Sequence, residues 1–357
     1  MLPFTMSRRY RQQRGYTLVE LLVVIVIITI LVAATLPVAR KALDDSRTRE
    51  ASRQLNAYFA MAKGRASLTR RPCGLWFELD QPLGAPATVR QCTRVYLCEV
   101  PPMYAGGTLG ARGLVQVSGS NNVFTVIDNM GNQDANEMAL LRSLVDDGEA
   151  LLVRFDYKGD WFSFRRSGTD FIYQSSSLSG ATINPPTTAR PFQVLRSPRR
   201  IGSPLELTAG TAIDMSYSGM GASGIQFSNA SGTVTTRLVT LFLPSGDLSA
   251  IYIDNSSSNP FLPTGTLHFL VGRVTKIEDP LGVNAGHASN LNMFDPEKSN
   301  LADPTSLWVS IGRQNGSVTT AENLPPSPWT VYTTAGQNNF LTAAREAATG
   351  REQMGGR

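Results

Sequence analysis

The chain reads as an α+β protein, a long N-terminal α-helix packed on a large antiparallel β-rich head. Three observations predict this. Residues 21–36, LLVVIVIITILVAATL, are interrupted only by Thr29 and Thr35, which suits a helix in lipid. Helical spacing then resumes after Pro37, with Ala51, Leu55, Tyr58, Phe59, Ala62 and Ala66 recurring at steps of three and four. From Gly74 onward the apolar residues come instead in short aromatic and β-branched runs between turn-rich stretches, as strands of a sheet or sandwich do.

Residues 1–15 form a basic leader. Arg8, Arg9, Arg11 and Arg14 precede Gly15 and no acidic residue does. Residues 16–70 are expected as the helix, transmembrane over about 18–39, a stretch that rises ~33 Å and so matches the hydrocarbon thickness. Positive residues ahead of the apolar run keep the N-terminus cytoplasmic and send the remainder across. An ordinary secretory signal has its small-residue cleavage site after the apolar core, whereas Gly15 lies before it. Cutting there leaves the apolar helix on the mature protein. Pro37 is expected to kink the helix rather than end it.

Residues 71–335 are expected as the β-rich head. Its strand-like runs are GLWFEL (74–79), RVYLCEV (94–100), NVFTVID (122–128), ALLVRFDY (150–157), WFSFRR (161–166), RLVTLFLP (237–244), GTLHFLVGRV (265–274) and LWVSIG (307–312). KGD (158–160), PSGD (244–247) and QNG (314–316) are candidate turns between neighbouring strands. NEMALLRSLVDDG (136–148) is a candidate short helix. The Pro-rich, basic segment 183–204 is either a linker between two β halves or a long surface loop within one domain. Residues 336–357 read as a C-terminal tail, a short amphipathic helix fraying into glycines.

The net charge of +5 belongs to the leader, since beyond Gly15 the chain carries 29 basic side chains against 28 acidic ones. Nucleic acid is therefore not expected as a partner, and the pairs Arg70/Arg71 and Arg165/Arg166 and the cluster Arg196, Arg199 and Arg200 read as solvated faces. His268 lies in a strand-like run and His287 in a loop, neither at metal-ligand spacing. DNMGNQDANE (128–137) gathers oxygen ligands without the spacing of a calcium-binding helix-loop-helix. No nucleophile elbow, phosphate loop or dinucleotide fingerprint occurs, so neither catalysis nor a cofactor is expected. Cys92 and Cys98 flank an extended stretch that holds them ~20 Å apart, beyond disulfide reach. Pairing of GLWFEL with RVYLC would bring Cys73 near Cys98, so a Cys73–Cys98 disulfide with Cys92 free is expected.

One carboxylate, Glu20, stands at the mouth of the apolar run. A charge at bilayer depth costs roughly 2.5–3.5 kcal/mol even on gentle scales, so it needs a partner. Arg14, Gly15, Tyr16, Thr17, Leu18, Val19 and Glu20, followed by the apolar run and Pro37, resemble the class III signal of type IV prepilins and pseudopilins. The resemblance covers about residues 8–40, with Tyr16 where phenylalanine is usual. It implies cleavage between Gly15 and Tyr16 by prepilin peptidase and N-methylation of Tyr16. It also implies a filament in which Glu20 pairs with the terminal amine of a neighbouring subunit. REASRQLNAYFAMAKGRASLTRRPCGLWFE, FLPSGDL and LWVSIGRQNGSV further resemble the H-type minor pseudopilins of type II secretion and the FimT-like minor pilins, whose smaller heads imply insertions here.

The function so implied is a minor pseudopilin, a noncatalytic structural subunit in the bacterial inner membrane with its head in the periplasm. Its expected partners are prepilin peptidase, other pseudopilin or pilin subunits and the inner membrane itself. The alternatives are a minor type IV pilin in pilus assembly or DNA uptake, and a membrane-anchored periplasmic binding domain or enzyme.

Overall fold

The computed structural model describes residues 17–82, 89–177, 184–223, 226–227, 236–253, 260–277, 291–325 and 334–353. The chain divides into two compact units, Met1–Ser46 and Arg47–Arg357, and helix α1 (Leu18–Thr69) runs without a break from the first into the second. In the first unit its apolar side chains are exposed, and Leu18–Thr35 is long and apolar enough to cross a membrane. The helix does not end at Pro37. It stops at Thr69, where Arg70 takes a left-handed conformation (φ 55°) that turns the chain into the first strand.

The second unit is α+β and built on two antiparallel sheets. The larger runs β12 (Leu248–Ile253), β11 (Arg237–Phe242), β1 (Cys73–Asp80), β2 (Gln91–Glu99), β10 (Thr211–Met220), β13 (Leu267–Arg273), β14 (Leu307–Ile311) and β15 (Val318–Glu322). One edge of β2 is shared, because β10 takes its N-terminal end and β9 (Arg199–Glu206) the rest. The smaller sheet has the order β3 (Arg112–Ser118), β4 (Asn121–Ile127), β7 (Asp170–Ser177), β6 (Phe162–Ser167), β5 (Ala150–Phe155), β8 (Phe192–Leu195). All of it lies in sequence between β2 and β9, with the short helix α2 (Ala135–Leu144). Glu99 of β2 and Arg199 of β9 are register partners, so the smaller sheet is an insertion at the tip of a hairpin.

The helix face expected from spacing is the one that packs. Ala51, Leu55, Phe59, Ala62 and Ala66 are fully buried against one face of the larger sheet, where Phe59 meets Phe77 and Phe269 at ring separations of 6.0 and 5.7 Å. The insertion has its own core around Phe124, Phe155, Phe164 and Phe192. On the other face of the larger sheet, Leu270 and Trp308 are covered by Phe340, Leu341, Ala344 and Ala348 of helix α3 (Thr334–Gln353). The short helix expected within 336–357 is thus part of α3, docked on the sheet through these four side chains.

Each strand-like run became a strand, and KGD, PSGD and QNG join neighbours β5–β6, β11–β12 and β14–β15. Segment 183–204 is neither linker nor loop throughout. It carries β8 and the start of β9, which belong to different sheets, so it is the crossing between them.

The expected Cys73–Cys98 disulfide is corrected. The two strands do pair, but Gly74 is the partner of Cys98 and Glu99 that of Cys73. A one-residue offset sends two side chains to opposite faces of a sheet. Cys73 accordingly joins the core under α1 and Cys98 the cluster around Trp76, and all three cysteines are buried free thiols. A bulge in β2 between the partners of Glu78 and Asp80 turns Cys92 to the α1 side with Val95.

Candidate assembly site on the N-terminal helix

The site begins where the described chain begins. Thr17 lies just before α1, and its hydroxyl accepts from the backbone N–H of Glu20 at 3.2 Å while its carbonyl accepts from Leu21 at 3.1 Å. This is the first half of a capping box, Thr-Leu-Val-Glu, which satisfies one orphan donor of the helix start. The sequence reading missed this role of Thr17, although threonine three residues before glutamate is its known signature. The cap fixes Glu20 in the first turn, where a carboxylate also gains roughly 0.3–1 kcal/mol from the helix dipole.

Beyond Glu20 the helix presents a sleeve of exposed apolar side chains from Leu21 to Val32. Its polar interruptions are internally satisfied. The hydroxyl of Thr29 donates to the Ile25 carbonyl at 2.8 Å and that of Thr35 to the Leu31 carbonyl at 2.9 Å, leaving no polar group that needs water. Among the described residues Glu20 makes no ion pair and is exposed. Gly15 and Tyr16 lie outside the described residues.

The other candidates resolve into structural roles. His268 is buried, bonded through Nδ1 to the Ser310 hydroxyl at 2.9 Å, and its imidazole is pushed down to about 3 by burial and then by Arg345. His287 lies outside the described residues. In the 128–137 loop, Asp128 accepts from the N–H groups of Met130 and Asn132, and Asp134 caps α2 through Asn136 and Glu137, so these carboxylates serve the backbone. Among the described residues no cluster of metal-ligating side chains occurs. Arg165 and Arg166 donate to the carbonyls of Gly148 and Arg142, Arg199 to that of Leu144, and Arg200 to Glu78. Arg70 and Arg71 are exposed at the end of α1.

Residues 10–36 match the family model for the prokaryotic N-terminal methylation motif. No curated protein and no solved structure matches the chain. The motif implies processing by prepilin peptidase and assembly with other pilin-type subunits, and with the apolar helix it is consistent with a single-pass membrane anchor. A capped helix start, an exposed glutamate, an apolar sleeve and the matched motif together give the N-terminal region the features of a type IV prepilin- or pseudopilin-like segment.

Proposed function

We propose that the chain is a minor pseudopilin of a type II secretion system, a structural subunit without catalysis of its own, whose head stands in the periplasm. The observation that carries the reading is Glu20, a carboxylate on an exposed apolar helix with no ion-pair partner among the described residues. Such a charge is strongly unfavourable in a bundle of helices unless a cation meets it. The amine created at Tyr16 of a neighbouring subunit supplies that cation, and the pairing sets the axial register of the filament. N-methylation keeps the positive charge.

The engagement of Arg199 with groups of the same chain, and the near-zero charge beyond Gly15, support a role without nucleic acid. The test is cysteine cross-linking between subunits in whole cells, with the mass of the mature N-terminus. Glu20→Leu should be inserted and cleaved, because the helix becomes more apolar and Gly15 is untouched, yet should lose cross-links to its partners. Wild-type cross-linking by the processed variant would overturn the registration account. Deleting the gene should abolish release of folded exoproteins and leave twitching and DNA uptake intact; the opposite pattern would assign the protein to a pilus.

A further inference from the structure

The face of the larger sheet turned away from α1 carries a row of charged and aromatic side chains across four strands. Arg237 of β11 is the register partner of Glu78 on β1, Trp76 that of Tyr96 on β2, and Cys98 that of Arg200 on β9. The Arg200 guanidinium lies 4.9 Å from the ring centre of Trp76 and 4.8 Å from that of Tyr96, and Arg237 lies 4.9 Å from Trp76 on the β11 side. Over this row the α2–β5 connection of the inserted sheet forms a roof. The space between is a cleft of about 340 Å³ lined by Trp76, Asp146, Glu149, Arg199, Arg200 and Arg237.

We propose that this cleft binds a carboxylate, gripped by the guanidinium fork of Arg200 beside Trp76. The acidic side chains of the lining are already engaged. Glu149 accepts from the Asp146 N–H at 2.8 Å, and both carboxylates face Arg199, at 3.9 and 3.3 Å. Arg200 is differently placed, for among the described residues its one hydrogen bond is to Glu78 at 3.5 Å. That glutamate also receives Tyr96 at 3.2 Å and Arg94 at 3.4 Å. A guanidinium offers five donors, and charge-assisted bonds close to about 2.7–2.9 Å when geometry allows.

The indole N–H of Trp76 is buried without a hydrogen-bond partner among the described residues, on a residue only 8% exposed. Arg196, three residues before Arg199, likewise keeps its Nε buried and unpaired among the described residues. Arg200 and Trp76 therefore hold donors that no acceptor among the described residues meets at an ordinary hydrogen-bond length.

Charge and size narrow the class. Three arginines against two carboxylates give the lining a formal charge of +1, which a monoanion neutralises and a doubly charged phosphate overshoots. The volume sits at the low end of ligand pockets, about 300–1,000 Å³. It admits a small organic acid or the last residues of a polypeptide, and excludes a nucleic-acid strand. A planar carboxylate matches the arginine fork bidentately, whereas lysine offers only a point charge.

The experiment is calorimetric titration of the full chain in detergent micelles, at low salt, with N-acetyl-Gly-Ala, its carboxamide and acetate. The free-acid dipeptide should bind at least ~10-fold more tightly than the carboxamide, the difference expected for a charge-assisted pair. Arg200→Gln should erase that preference. Arg200→Lys, which keeps the charge and spares the fold should the glutamine variant not survive, should lose most of it. Acetate binding as tightly as the dipeptide would assign the site to a free small acid, and a requirement for the dipeptide would assign it to a chain terminus. Equal binding of acid and amide, no binding of any probe up to ~10 mM, or an unchanged preference in Arg200→Lys would overturn the proposal.

Discussion

Asp214 and His268 lie in adjacent strands and carry opposite pH dependences. Burial pushes the Asp214 carboxyl from 3.8 up to about 7, against hydrogen bonds from the Asn300 side chain and the Ser216 N–H, whereas it pushes His268 from 6.5 down to about 3. An acid with a raised folded pKa holds its proton where the unfolded chain has lost it, so its contribution to stability falls as pH rises from about 4 to about 7. A histidine with a depressed folded pKa refuses a proton the unfolded chain accepts, so its contribution rises from about pH 3 to 6.5. Each slope is at most about 1.4 kcal/mol per pH unit, and between about pH 4 and 6.5 they oppose one another. Asp214→Asn should therefore expose a stability that climbs with pH in this window, and His268→Asn one that declines. Urea midpoints at pH 4.5, 5.5 and 6.5 decide it, and parallel profiles for wild type and both variants would refute the pairing. The cysteines yield a second prediction, that alkylation of the unfolded, unreduced chain labels three thiols; a loss of two would restore the disulfide. A sequence can propose that two strands pair, but one residue of register decides which face Cys73 and Cys98 occupy, and that is set by neighbours such as β11.

At the scale of elements, α3 is held by an unusual group. Arg345 is fully buried and donates to the carbonyls of Tyr217 (2.6 Å), Gly221 (3.1 Å) and Ala222 (3.4 Å), where β10 ends. Burial pushes its guanidinium down to about 10. Arg345→Met should cost roughly 3 kcal/mol, because the carbonyls are stranded in an apolar contact. Equilibrium unfolding measures the loss, and a change below ~0.5 kcal/mol would mean that α3 docks by its apolar face alone. Gly74→Ala should be worse, since a Cβ there overlaps the Thr240 carbonyl oxygen in the middle of the β1–β11 ladder. A variant that keeps wild-type yield and unfolding midpoint would show that the ladder can shift. The same elements show what was legible. Runs such as LWVSI and LVTLF announce strands because aromatic and β-branched residues fit a pleated, buried surface. Strand β10, TAIDMSYSGM, did not, since its serines and aspartate look like a loop. Yet all ten residues are buried, with the Ser218 hydroxyl bridging the Asp214 carbonyl and the Leu270 N–H across a bulge. The methylation motif was legible because its residues are contiguous, whereas Trp76, Arg200 and Arg237 meet only through the ladder order.

In the molecule as a whole, the insertion meets the larger sheet on the face turned away from α1, through Leu195 and the Asp146 and Glu149 side chains. None of its residues belongs to the core beneath α1, and Glu99, at the junction, is also tied to Arg65 of the helix at 3.0 Å. Replacing residues 101–198 by a two-residue turn should leave a protein that enters the membrane, is cleaved, and unfolds cooperatively. Rapid proteolysis of the remainder in a limited digest would show that the two sheets stabilise one another. The hairpin that carries the insertion has another consequence, which concerns time. Every strand of the smaller sheet is contiguous in sequence, but β1 must wait for β11, and the far edge of the larger sheet for β15. A chain emerging from its N-terminus therefore completes the inner module first, while the strands destined to surround its base still have unpaired edges. Helix α3 follows every strand of the larger sheet in sequence and closes the apolar face over Trp308, so that face is covered only after the sheet's last strand has been made.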